Sequence, residues 1–254
     1  MLNLDMKGRT VLITGASGQL GRVMAMKFAE CNADVIIHYH GNSEKAEELC
    51  RQIKGMGREA YIVQADITDA ASVQKMKENI AKDFKLPDVI VNNAVIQFDW
   101  KRLEDQDPGD YYSQFESCVM QTVYMAKAFL PHMKEQRWGR IVCTNTECAA
   151  LAEDGCSAYT SAKRGLDGIV RVLAKEVGEY GITVNQVAPG WTISDNDRQK
   201  HTEVIPDYDK TVPLKRRGTD EEIANMVVFL ASDLASFTTG AYIPVSGGRV
   251  MPAL

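Results

Sequence analysis

Short apolar runs alternate along the chain with longer segments of helical period. The runs are Thr10–Thr14, Asp34–Tyr39, Ala60–Gln64, Val89–Asn92, Arg140–Thr144, Thr183–Val187 and Tyr242–Val245. Most are rich in Val and Ile with little in–out alternation, the pattern of parallel strands buried on both faces. Between them lie Leu20–Cys31, Ser43–Met56, Ala70–Phe84, Tyr111–Glu135, Ser157–Tyr180 and Asp220–Ala231, each long enough for a crossover helix. This alternation predicts an α/β fold, a doubly wound Rossmann-type sheet of about seven parallel strands with helices on both faces. No repeat, low-complexity tract or linker divides the chain, so residues 1–254 read as a single domain. Ligands of such sheets bind beyond the carboxyl ends of the strands, so the chemistry is expected just after the apolar runs.

Composition narrows the function classes. At 45% hydrophobic and 25% charged, the chain has the balance of a globular protein rather than a disordered one. A net charge of −5 argues against nucleic acid or an anionic membrane as the main partner. No apolar run approaches the roughly 18 residues of a membrane span, and Met1 to Lys7 lacks the pattern of an export signal. Cys31, Cys50, Cys118, Cys143, Cys148 and Cys156 form neither CxxC pairs nor a small disulfide framework, so a cytoplasmic protein with reduced thiols is expected. The histidines at 38, 40, 132 and 201 have no ligand spacing, and no metal site is expected.

Two motifs carry chemistry. The first strand runs into Thr14-Gly15-Ala16-Ser17-Gly18-Gln19-Leu20-Gly21 and then a helix. Glycines there permit a tight turn and let backbone N–H groups approach a pyrophosphate at the helix N-terminus. After the fifth strand, Tyr159 and Lys163 stand four apart on one helix face. A lysine ammonium near a phenol lowers its pKa, which suits proton exchange with a substrate hydroxyl or carbonyl while a nicotinamide gives or takes the hydride.

Together with Asn92-Asn93-Ala94 and Pro189-Gly190, these motifs resemble the short-chain dehydrogenase/reductase family, in particular its 3-oxoacyl-carrier-protein reductase-like branch. The likeness runs from Lys7-Gly8-Arg9-Thr10 to Ser246-Gly247-Gly248. It implies an NAD(P)-dependent oxidoreductase with Tyr159, Lys163 and Thr146 as catalytic residues, Thr146 standing 13 residues before the Tyr in place of the family's Ser. Neighbouring Asn145 is a fallback donor. Cys118 falls where the family holds a proton-relay water with an Asn, or else is a buried structural thiol. For the cofactor the resemblance implies Gly15, Ser17, Gly18, Gln19, Leu20 and Gly21 at the phosphates and Asp66 and Ile67 at the adenine. Asn93, Ala94, Val95, Pro189 and Gly190 complete the implied cofactor set, with Asn93 also tying its strand to the neighbour, and Ser194 stands where a Thr commonly bonds the nicotinamide amide. Tyr39 occupies the place where NAD-preferring members carry Asp. With His40, Asn42 and Ser43 as the available donors, NADP(H) is favoured over NAD(H).

Gln19, Val95, Ser194 and Ser246 depart from the family pattern, Ser246 as a structural change, and together with Cys118 and Thr146 they leave open a nucleotide-binding protein with weak catalysis. The polar segment 191–212 is expected to be a substrate lid, with Trp191 and Tyr208 facing Trp100 and Tyr111 as lining or as ordinary packing. The substrate is a small carbonyl or alcohol, or an acyl group on a carrier protein; a sugar or polyol is the alternative. A carrier would dock on basic residues, for which Arg137 and Tyr180 hold the matching positions and Lys134 and Arg140 add charge. The resemblance further implies a homodimer or homotetramer through Tyr111–Glu135, Ser157–Tyr180 and the C-terminal strand, and the end Val250–Leu254 is apolar enough to pack on a partner.

Overall fold

Seven strands, β1 (Thr10–Ile13), β2 (Asp34–Tyr39), β3 (Ala60–Gln64), β4 (Val89–Asn92), β5 (Gly139–Thr144), β6 (Ile182–Pro189) and β7 (Tyr242–Val245), form one parallel sheet in the order β3-β2-β1-β4-β5-β6-β7. The computed structural model describes residues 4–252; Met1–Asn3, and Ala253 and Leu254 of the expected partner-packing end, lie outside them. β1, β4 and β5 are buried along their whole length, which is why their Val and Ile show no alternation.

Among the described residues ten α-helices connect and follow the strands: α1 (Gln19–Glu30), α2 (Ser43–Gly55), α3 (Ala70–Asp83), α4 (Pro108–Phe115), α5 (Gln121–Gln136), α6 (Cys148–Leu151), α7 (Ser157–Val177), α8 (Asp195–Lys200), α9 (Pro206–Thr211) and α10 (Asp220–Ala231). Their starts follow side-chain chemistry. Asp69 accepts the N–H groups of Ala71 and Ser72 to begin α3, and Thr219 with Glu222 forms a reciprocal capping box on α10. On one face of the sheet Met24, Phe28, Ile53 and Val227 pack from α1, α2 and α10. On the other, Met76, Phe129 and Val170 pack from α3, α5 and α7. The chain reverses its direction of winding between β1 and β4, so a crevice opens at the carboxyl ends of those two strands.

The strand expectations hold to within two residues, β6 running on to Pro189. The single helix expected over Tyr111–Glu135 is instead three pieces: α4, a π turn at Glu116–Met120, and α5. In the π turn the Gln121 N–H bonds the Glu116 carbonyl, five residues back. The carbonyls this displaces are taken by side chains, Ser117 by the Gln121 amide and Cys118 by the Thr122 hydroxyl at 3.3 Å. Apolar periodicity does not register a single wide turn. Segment 191–212, polar and aperiodic in sequence, contains the short helices α8 and α9. No helix among the described residues is long and apolar enough to cross a membrane.

Candidate active site

The loop after β1 is shaped by backbone demands. Gly15 adopts φ +64°, and a Cβ there would stand 3.2 Å from Ala94. Its N–H donates to Nδ1 of His38 at 3.0 Å, while Nε2 of the same ring faces the Ala65 carbonyl at 3.1 Å. An imidazole accepting through Nδ1 carries its proton on Nε2, so His38 is neutral. Burial pushes its pKa down to about 4. A Cβ on Gly21 would fall 2.3 Å from the Gly15 carbonyl oxygen, so only glycine lets α1 begin directly beneath the loop. No side chain caps the N-terminus of α1, leaving first-turn N–H groups at the loop where an anion is favoured.

A cleft of about 640 Å³ runs from His40 and Asn42, past Asp66 and the glycine loop, to Thr146, Tyr159 and Gly190. Its floor is laced by Thr14, whose Oγ1 accepts the N–H groups of Asn93 (2.9 Å) and Ala94 (3.0 Å) and donates to Gln121 Oε1 (2.6 Å). The Asn93 amide donates to the Thr14 carbonyl at 3.1 Å, tying β4 to β1. Asp66 accepts from both the N–H and the hydroxyl of Thr68, which hold its carboxyl below the usual range.

Tyr159, half-buried at the cleft, and Lys163, buried beside it, come together on α7. The Lys163 ammonium lies 5.5 Å from the Tyr159 ring centroid and donates to the Thr144 carbonyl at 2.6 Å. Burial works against the lysine charge, but Cys118, Tyr159 and Cys143 outweigh it and hold its pKa above the ordinary value. The expected lowering of the tyrosine pKa does not result. Burial raises it, and the opposing influences of Lys163 and Thr146 do not overcome that in the protein alone. Thr146 lines the cleft; its N–H is held by Asn145 Oδ1 at 2.8 Å and its Oγ1 accepts the Cys148 N–H at 3.2 Å. The fallback donor Asn145 is already committed, its amide donating to the Lys163 carbonyl and to Gln186 Oε1. Cys118 is buried in the π turn.

A second chamber of about 590 Å³ adjoins the first and shares Thr146, Tyr159 and Gly190 with it. Trp100, Trp191 and Tyr208 line it, as does Arg249, paired with Glu147 and Glu153. Tyr111 does not; its hydroxyl is hydrogen-bonded to Ser157 at 2.7 Å.

Ser17, Gly18, Leu20, Ile67, Ala94, Val95 and Pro189 line the cleft, whereas several other expected residues are turned elsewhere. The Gln19 amide donates to the Ile193 carbonyl (3.1 Å) and Asp220 (3.4 Å), so it braces the segment after β6. Tyr39 packs on the α1–α2 side of the core, and Ser43 is the exposed first residue of α2. Ser194 spends its hydroxyl on the Asp197 carboxylate, capping α8. Arg140 is 2% exposed and pairs with Asp233, which removes it from any surface patch. Ser246 accepts the Val250 N–H at 3.1 Å, a structural role. His38, Gln121, Glu147 and Arg249 were not singled out as site residues. Only two carried a signal, His38 as a polar residue near the end of a buried strand and Glu147 as the residue directly after Thr146.

Comparison with known proteins agrees with this architecture. The family model described as enoyl-(acyl carrier protein) reductase matches residues 15–249. The 3-oxoacyl-(acyl-carrier-protein) reductase FabG of Staphylococcus aureus strain Mu50 is 36% identical over 245 residues, 96% of this chain and 98% of its own. That of Escherichia coli strain K12 is 34% identical over 250 residues, 98% of this chain and 100% of its own. Among solved structures, a gluconate 5-dehydrogenase from Burkholderia cenocepacia J2315 in complex with NADP and tartrate matches with a TM-score of 0.89 at 26% identity, covering 97% of both chains. The promiscuous reductase LugOII, which catalyses keto-reduction at C1 during lugdunomycin biosynthesis, matches at 0.89 and 27% identity, over 97% of this chain and 99% of its own. The fold is that of an oxidoreductase built on a dinucleotide-binding sheet. The chain belongs to the short-chain dehydrogenase/reductase family.

Proposed function

We propose that this protein transfers a hydride between NADP(H) and a carbonyl or secondary-alcohol substrate, in the manner of the 3-oxoacyl reductases it resembles. The observation that carries the reading is the shared wall: Thr146, Tyr159 and Gly190 belong both to the cleft that starts at the glycine loop and to the chamber under segment 191–212. The uncapped N-terminus of α1 and the side-chain-free approach at Gly15 and Gly18 suit a dinucleotide pyrophosphate. When bound, the nicotinamide supplies or accepts the hydride. The chain's own residues handle the proton. Tyr159, kept as a phenol by burial, donates its proton to the substrate oxygen during carbonyl reduction, and the Lys163 ammonium steadies the phenolate left behind. The Thr146 hydroxyl donates to the same oxygen and orients it.

NADP(H) is preferred over NAD(H) because no carboxylate stands between His38 and Ser43 to repel a 2′-phosphate, and His40 and Asn42 border the cleft there. Segment 191–212 serves as the lid. A carrier-bound acyl group is supported by the names of the FabG relatives, but the basic docking surface is thin. Arg137 donates to the Glu179 carbonyl and Lys134 lies over the Tyr180 ring. A second reading, a small hydroxylated substrate, is favoured by the charged side chains of the second chamber. Assembly as a homodimer or homotetramer would use the outer faces of α5 and α7, where Val123, Leu130, Ile169 and Val172 border an apolar groove.

Titration of NADPH and NADH against the purified protein, followed by a ketone panel, tests the assignment. Tighter binding of NADPH and its oxidation by a ketone are expected; binding of neither cofactor would overturn the reading.

A further inference from the structure

Two indoles border the second chamber with about half their surface open. Trp100, in the loop after β4, and Trp191, directly after Gly190 of the shared wall, are each 51% exposed. Neither is loosely held. The buried Gln106 amide accepts the Lys101 N–H at 3.0 Å and donates to the Asp99 carbonyl at 3.1 Å, which clamps the backbone on both sides of Trp100. The Trp191 ring lies 4.9 Å from the buried Arg217 guanidinium and is met edge-on by Tyr208 at 5.4 Å. Buried polar side chains are thus committed to fixing apolar rings that stay bare, and large apolar surface left open in this way marks a binding site.

The Trp100 and Tyr159 ring centroids are 6.2 Å apart with their planes tilted by 35°. A substrate whose carbonyl oxygen meets the Tyr159 hydroxyl therefore brings the group on its carbonyl carbon alongside the Trp100 indole. The charged side chains of the chamber are committed to one another. Arg249 donates to Thr211 Oγ1 (2.9 Å), to Glu147 (2.9 Å) and to Glu153, and the Tyr208 hydroxyl donates to Glu147 (2.9 Å) while accepting the Trp191 N–H (2.8 Å). What the chamber offers a substrate is its rings. We propose that Trp100 and Trp191 are specificity-determining residues, and that the chamber takes ketones with a planar aromatic ring on the reacting carbon. Such a ring gains stacking on the indoles beyond the area it buries, which a saturated ring of the same size does not. It also loses little conformational freedom on binding, unlike a flexible acyl chain. A chamber of about 590 Å³ has room for it.

This inference rests on the hydride-transfer reading above, and the test separates the two. NADPH oxidation is measured with a phenyl ketone, the matching cyclohexyl ketone, an aliphatic α-hydroxyketone and a 3-oxoacyl thioester, using the wild type, Trp100→Ala, Trp100→Leu and Trp191→Ala. The wild type is expected to show a KM for the phenyl ketone about tenfold below that for the cyclohexyl ketone, and below those for the other two. Comparing each variant's phenyl-to-cyclohexyl ratio of kcat/KM with the wild-type ratio cancels the intrinsic reactivity of the two ketones. That ratio should fall by about threefold or more in each alanine variant, mainly through KM, with NADPH affinity retained. Trp100→Leu keeps apolar bulk without the ring and should lose the preference too, so it carries the comparison if an alanine variant misfolds. A wild type without the phenyl preference, or one with a lower KM for the hydroxyketone or the thioester, overturns the inference and leaves hydride transfer standing. So does a wild-type ratio in the folded variants. NADPH binding with no turnover of any of the four substrates overturns the hydride-transfer reading and the substrate class with it.

Discussion

The backbone N–H of Gly15 donates to Nδ1 of His38 at 3.0 Å, so the imidazole near the end of β2 holds the first glycine of the nucleotide loop. Its pKa is lowered from 6.5 to about 4 by burial, which favours the neutral ring in the folded state. The unfolded chain therefore binds the extra proton first. The stability tied to this group is fully present above about pH 6.5 and is lost as pH falls towards 4, on the order of 3 kcal/mol in all. Urea denaturation at pH 7, 5.5 and 4 should show that fall. His38→Gln, less stable at pH 7 for lack of the fitted ring, should show a flatter dependence. Parallel pH profiles for the two proteins would exclude His38 as the titrating group.

Tyr159→Phe should lower kcat by roughly 10²–10⁴-fold, the usual contribution of a general acid. NADPH affinity should stay within about threefold of the wild type, because the phenol oxygen is poised for the substrate. Stopped-flow turnover beside fluorescence titration checks both halves. Turnover at the wild-type rate would remove Tyr159 from the chemistry.

Gly21→Ala places a Cβ 2.3 Å from the Gly15 carbonyl oxygen, a backbone atom that cannot step aside. A loss of about 3 kcal/mol in stability, with weakened NADPH binding, is expected. Gly41→Ala is the matched control, since a Cβ there meets nothing within 4 Å. Thermal melts of the two variants should differ clearly.

Arg217 is 2% exposed and donates to the carbonyls of Trp191, Thr192 and Thr202 and to the Asp197 carboxylate, gathering the start of segment 191–212 around one guanidinium. Arg217→Met should cost about 3 kcal/mol by stranding those acceptors. Amide exchange over 191–202 should accelerate while β4 and β5 stay protected. Uniform acceleration across the sheet would mean that the residue supports the whole fold and not this segment.

What could be read in advance followed the range of each interaction. β1, β2 and β4 declared themselves because a doubly buried strand must be apolar at consecutive positions. Tyr159 and Lys163 declared themselves through helical spacing, and Gly15 through its turn. The fates of Gln19, Ser194 and Arg140 depended on partners that no local pattern names: the Ile193 carbonyl 174 residues away for Gln19, a capping box in an aperiodic segment for Ser194, and Asp233, 93 residues on, for Arg140. Glu147 and Arg249, 102 residues apart, meet only because β5 and the end of β7 open on the same chamber. The tyrosine pKa ran opposite to expectation for a related reason, because the sequence reveals the nearby lysine but not the depth of burial.

The π turn at Glu116–Met120 sets the angular phase of everything after it. A regular helix advances about 100° per residue, so accommodating one extra residue rotates α5 relative to α4 without breaking the rod between them. α4 faces α7, α5 also reaches α3, and Gln121 comes round to meet Thr14. Deleting one residue there would keep both segments helical, yet it would swing the Gln121 amide away from β1 and unlace the cleft floor. This one wide turn thus acts as the clocking mark between the layer that packs the sheet and the layer that faces the ligand.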